Sequence, residues 1–117
     1  MAAISVKELI AKKEAIEAKK NETVDFVTSI GTVTVKKPTK SIVLESIEQE
    51  KTGDAYLILN QVVVPNLKDL DLQEAYGCVE PLDIVEKIFL PGEVAGLARA
   101  IMKTSGYGVD IVEDLKN

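Results

Sequence analysis

The sequence predicts an α+β fold: one mainly helical domain carrying a single β-hairpin near its amino end. Three observations lead there. A hydrophobic period of two, rich in β-branched residues, is confined to residues 23–36. Caps, prolines and glycines then punctuate residues 39–106 at helical spacing. A length of 117 residues suffices for one buried core and falls short of two, so residues 1–117 are expected to form a single domain.

The first element is a helix over residues 5–19. Ser5-Val6-Lys7-Glu8 is a capping box, in which the Ser5 hydroxyl accepts from the Glu8 amide and the Glu8 carboxylate reaches back. Ile4 and Leu9 stand at staple positions, and Glu8 and Lys12 lie one turn apart. Val6, Leu9, Ile10 and Ile16 give only a thin apolar stripe, which suits peripheral packing or contact with another chain.

The hairpin follows over residues 23–36, with strands at about 23–29 and 32–36 around Ile30-Gly31, ended by Pro38. A two-stranded ribbon is marginal alone, so it must lean on helices or pair at an edge.

The helical region, residues 39–106, begins at Thr39 or Ser41 and runs to about Gln49, with Val43, Leu44 and Ile47 facing inward. Lys51-Thr52-Gly53-Asp54 is a turn, and Asp54 caps the next segment. "YLILNQVVV" is apolar on every side and suits helix or strand; its length and the preceding cap favour helix over 55–64. Asp71 and Glu74 cap a short helix to Tyr76, stopped by Gly77, and Pro81 opens another through Phe89. Pro91 and Glu93 suit the start of the last helix, and Gly106 its stop. A short acidic tail, 107–117, completes the chain.

Composition narrows the chemistry. There is no His, so triads, His-ligated zinc and imidazole acid–base catalysis are excluded. The lone Cys78 cannot form an internal disulfide and suits a reducing compartment, as apolar filler. No apolar run is long enough to cross a bilayer and no signal-peptide core opens the chain, so an intracellular protein is expected. Charge is uneven. Residues 1–40 hold eight lysines against five carboxylates, net +3, and residues 41–117 hold six bases against 14 carboxylates, net −8. That asymmetry suits a solvated acidic surface, head-to-tail contact between copies, or a basic partner.

Three candidate ligand sites have simpler readings. Gly92 and Gly96 match neither a phosphate loop nor a dinucleotide fingerprint, which leaves them as helix punctuation and packing. Asp69, Asp71 and Glu74 lack the alternating oxygen donors and turn glycine of a calcium loop, so capping accounts for them. The lysines of "KKPTK" have no interleaved aromatic or Arg, so a solvated face is favoured over nucleic acid. No cofactor is expected. The remaining surplus is apolar: Ile84, Ile88 and Phe89, with the smooth Gly96–Ala100 pair and Met102, are the expected protein-binding residues.

With these features in place, "KSIVLESIEQE" and "PNLKDLDLQEAYGCVEPLDIVEKIFLPGEVAGLARAIMKTSGYG" resemble the XkdN-like tail assembly chaperones of PBSX-type contractile-tail phages and prophages. The similarity reaches back through "SIGTVTVKKPTK". The resemblance implies a non-enzymatic protein of the host bacterial cytoplasm. It would hold the tape measure protein soluble while the tail assembles and be absent from the mature virion. A holder that works through many modest contacts by repeated copies is in turn expected to self-associate weakly. The resemblance also implies a longer, frameshifted form whose extension recruits the tail tube protein. Two rival readings are a structural tail or head–tail component retained in the virion, and a small carboxylate enzyme using Glu93 with Asp83.

Overall fold

The computed structural model describes residues 2–108; from residue 109 on, the expected acidic tail lies outside the described residues. The fold is α+β. Seven helices and one three-stranded antiparallel sheet are present among the described residues, in the order ααββααβααα.

The amino-terminal helix forms in two pieces, α1 (Val6–Ala11) and α2 (Lys13–Lys20), separated by Lys12. The expected capping box is present: the Glu8 amide donates to Ser5 Oγ and the Ser5 amide to Glu8 Oε1, each at 3.1 Å. Those bonds hold the Glu8 carboxyl below its ordinary range, the Ser5 backbone amide contributing most. Neither helix buries a residue.

Strands β1 (Thr23–Thr28) and β2 (Gly31–Lys36) pair in register from Thr23↔Lys36 to Thr28↔Gly31. The reversal therefore lies at Ser29-Ile30, and Gly31 is the second strand's first residue instead of part of the turn. Among the described residues only glycines have positive φ, and Gly31, at φ 122°, takes one directly after that two-residue turn. The hairpin stands second in the chain, behind the helix pair.

The ribbon leans on a third strand. The segment 55–64, expected as helix, divides into α4 (Gly53–Gln61) and β3 (Val62–Val64). Three consecutive β-branched residues before Pro65 favour extended backbone. The open edge of β2 supplies the partners, Val35↔Val62 and Thr34↔Val64, with an irregularity between them. The Gln61 side chain, buried at this junction, donates to the Lys36 carbonyl at 3.0 Å. A buried amide so paired avoids the cost of an unmade bond.

Helix α4 is central and packs on α3 (Lys40–Glu48), α6 (Asp83–Ile88) and α7 (Pro91–Lys103). Its apolar character on every side is used: Ala55, Leu57, Ile58 and Leu59 are all buried. Val33, Val35, Val62, Leu67, Ile84, Val85, Phe89, Val94, Leu97, Ala98 and Ile101 join them in the core. Each fully buried aliphatic side chain contributes about 1.5–3 kcal/mol relative to exposure. Gly53 starts α4 where a Cβ would overlap the Ser46 carbonyl oxygen, so glycine permits the close approach of α3 and α4.

Three local expectations are corrected. On α3 the inward residues are Val43 and Ser46, with Ile42 partly buried, while Leu44 and Ile47 point to solvent. Helix α5 (Leu70–Ala75) is capped by Asp69, whose carboxylate accepts from the Leu72 amide at 3.0 Å; Asp71 lies inside the first turn. Helix α4 begins one residue before Asp54, which supplies first-turn charge without capping. Pro91 does open α7, and Gly77 and Gly106, at φ 65° and 90°, follow α5 and α7.

Candidate partner-binding surface

The residues expected to bind protein are not brought together. Ile84 (0% exposed) and Phe89 (4%) belong to the core, so their apolar area is already covered within the chain. The reason is α7, which turns back after Leu90 and closes over α6 and α4. Ile88 and Met102 are half-buried against the same core. Gly96 is exposed and Ala100 half-buried on one flank of α7, with nothing within 4 Å of where a Gly96 Cβ would stand. Met102, six residues beyond Gly96, falls on the opposite flank at 100° per residue.

What the fold leaves uncovered lies elsewhere. On α1 and α2, Val6, Leu9, Ile10 and Ile16 are exposed together. On α3, Leu44 and Ile47 stand one turn apart on the outer face. Leu70 (83% exposed) and Val79 (93%) flank Tyr76 at α5 and the loop after it. Ile30 at the hairpin tip and Leu90 before α7 are exposed on either side of a carboxylate clamp. Of these, only the α1–α2 stripe had a sequence signal, its thinness. Leu44 and Ile47 share the helical spacing of core residues, and Leu70 and Val79 sit in a stretch where capping dominates the pattern.

The clamp is Glu93. Its carboxylate accepts from the Ser29 amide (2.7 Å), the Ser29 hydroxyl (2.6 Å) and the Leu90 amide (3.2 Å). These bonds hold its pKa down, the Ser29 hydroxyl contributing most. Asp83 is held down separately, by the amides of Glu80 and Val79 at 2.9 and 3.0 Å. Each carboxylate thus serves its own turn: Glu93 that of the hairpin tip and the start of α7, Asp83 that of the loop before α6.

Concavity is found at the helix pair. A groove of about 380 Å³ runs along Leu9, Ile10, Lys13, Ile16, Glu17 and Lys20. A larger cleft of about 670 Å³ lies where α2 meets the β2–α3 connection and the end of α7, bounded by Lys37, Pro38, Lys40, Thr104 and Tyr107. Ser105 Oγ donates to the Pro38 carbonyl at 2.7 Å, and Lys37 Nζ to the Lys19 carbonyl at 2.7 Å, so three segments are tied around it. Among the described residues, no group of three His, Cys, Asp or Glu could hold a metal ion, and no helix is long and apolar enough to cross a membrane.

The surface is therefore one of dispersed apolar points on a charged exterior. The family model described as phage XkdN-like tail assembly chaperone protein matches residues 5–116, nearly the whole chain. No curated protein and no solved structure gives a match. The chain belongs to the phage XkdN-like tail assembly chaperone family.

Proposed function

We propose that this chain acts without catalysis, binding the phage tape measure protein and keeping it soluble in the host cytoplasm until the tail tube closes around it. One observation carries the reading: large apolar side chains are exposed on α1, α2, the hairpin tip, α3 and α5 while a well-formed core lies beneath them. Scattered singly such residues are ordinary; on a member of an assembly-chaperone family, several patches on separate elements suit a protein that holds another chain by many modest contacts. Repeated copies along a long apolar helical target add avidity without making any one contact hard to release. Leu44 and Ile47 on α3, with Ile30 and Leu90 beside the clamp, are the contact points this reading assigns to the target.

Titration of the purified chain against a soluble tape measure fragment tests it. Binding is expected, and weaker in Leu44→Ser/Ile47→Ser at unchanged melting temperature. Equal binding by both forms would remove α3 from the account, and no binding by either would remove the reading. A longer frameshifted form that recruits the tube protein belongs to the same proposal, and so does release before the virion is complete. Mass spectrometry of purified virions should find this chain missing; its presence at fixed stoichiometry would favour a structural tail component.

A further inference from the structure

The groove along α1–α2 and the cleft beside it share Ile16, Glu17 and Lys20, so they form one continuous trough. Its floor is apolar, from Leu9, Ile10 and Ile16 to Pro38 and Tyr107. Its rim carries Lys13, Lys19, Lys20, Lys37 and Lys40 against a single carboxylate, Glu17. Among the described residues the only ion pair within 4 Å is Lys37–Glu22, which leaves the other four rim lysines without a carboxylate partner among those residues. A ligand for such a trough must be acidic and apolar at once.

The chain carries a segment of that description and delivers it to the edge of the trough. Tyr107 lines the cleft, and the bond from Ser105 Oγ to the Pro38 carbonyl fixes the end of α7 against the cleft wall. Residues 109–117, outside the described residues, follow directly after Gly108. Their sequence is Val109-Asp110-Ile111-Val112-Glu113-Asp114-Leu115-Lys116-Asn117, in which four apolar residues interleave with three carboxylates against one Lys. Reach is sufficient. Leu9 to Lys20 measures about 17 Å at helical rise, and nine residues span up to about 30 Å when extended.

We propose that residues 109–117 occupy the α1–α2 trough of their own chain, as an internal competitor that an acidic, apolar segment of another protein has to displace. Charge complementarity and covalent connection select this occupant. Nucleic acid would match the lysines and leave the apolar floor unused. A segment tethered at the cleft wall has an effective concentration in roughly the millimolar range, so a free ligand of the same chemistry starts at a disadvantage. A trough open about one-fifth of the time binds such a ligand about fivefold more weakly than one that is always open. The contact lies within one chain, apart from the apolar points assigned to the tape measure protein, and is measured without that protein.

A fluorescently labelled synthetic peptide of residues 109–117, titrated with the full chain and followed by anisotropy, tests it. The variant Asp110→Lys/Glu113→Lys/Asp114→Lys keeps every described residue and empties the trough. It is expected to bind the peptide about fivefold more tightly than wild type, and less tightly as salt rises. Adding Lys13→Glu/Lys20→Glu, at two exposed lysines outside the core, should abolish that binding. Equal affinity in wild type and the tail variant would overturn the proposal, and so would a tail variant that does not bind the peptide. Peptide binding that survives the lysine reversal would place the contact elsewhere and overturn it too. A wild-type affinity that falls as chain concentration rises would give the trough to the tail of a second copy. Displacement of the peptide by a single-stranded oligonucleotide, but not by unlabelled peptide, would give it to nucleic acid; either result refutes occupation within one chain.

Discussion

Ser29 and Glu93, 64 residues apart in sequence, are joined by two hydrogen bonds of 2.7 and 2.6 Å from the Ser29 amide and hydroxyl to one carboxylate. The tip of the hairpin is thereby fixed to the first turn of α7, where Glu93 also accepts from the Leu90 amide and faces the positive end of the helix. One side chain closes a helix start and a β-turn together.

That arrangement has a pH signature. The native bonds favour the ionised form and hold the Glu93 pKa below its ordinary 4.5. A depressed native pKa contributes stability that is fully present above the unfolded value and is lost as pH falls through the native one. Glu93→Gln should therefore melt below wild type at neutral pH, and the difference should shrink as pH falls below about 4.5. Thermal melts of both proteins from pH 7 to 3 check this; a difference independent of pH would show that the charge is unimportant.

The glycines separate into two kinds that a stability measurement distinguishes. Gly53→Ala forces a methyl into the Ser46 carbonyl and should destabilise by about 1–3 kcal/mol, the usual range for overpacking. Gly96→Ala meets open space in the middle of α7 and should stabilise by about 0.5–1 kcal/mol through helix propensity. Urea titrations of the two variants should move in opposite directions. If Gly96→Ala also weakens partner binding, the smooth flank of α7 is a contact.

At the sheet junction, Gln61→Leu removes the donor to the Lys36 carbonyl and leaves a shielded acceptor unpaired. The expected cost is about 1–3 kcal/mol. A neutral result would mean that water reaches that carbonyl.

The helix pair gives the contrasting expectation. No side chain of α1 or α2 is buried, so Val6→Ser and Ile10→Ser should leave stability within about 0.5 kcal/mol of wild type. A larger loss would mean that these side chains support the domain itself.

How much of this was legible beforehand depends on the range of the interactions. The Ser5–Glu8 box, the β-branched alternation at 23–36, Pro91 and Gly106 act within a few residues, and each stands where the pattern placed it. Val62–Val64 needed the free edge of β2, a contact nearly thirty residues away, to become a strand instead of the end of a helix. Helix α6 has an apolar surplus in sequence because two neighbours cover it, and a one-dimensional pattern cannot distinguish a face buried by its own chain from one kept for a partner. That ambiguity placed Ile84 and Phe89 on a binding surface when they belong to the core. The exposed points that remain, Leu44, Ile47, Leu70 and Val79, became visible only once the core had claimed its own residues.

Co-expression with the phage's tape measure protein tests the central claim most directly. The soluble fraction of that protein is expected to rise severalfold with this chain present, and to fall back with Leu44→Ser/Ile47→Ser expressed at the same level. A tape measure protein equally insoluble with and without the wild-type chain would contradict the account.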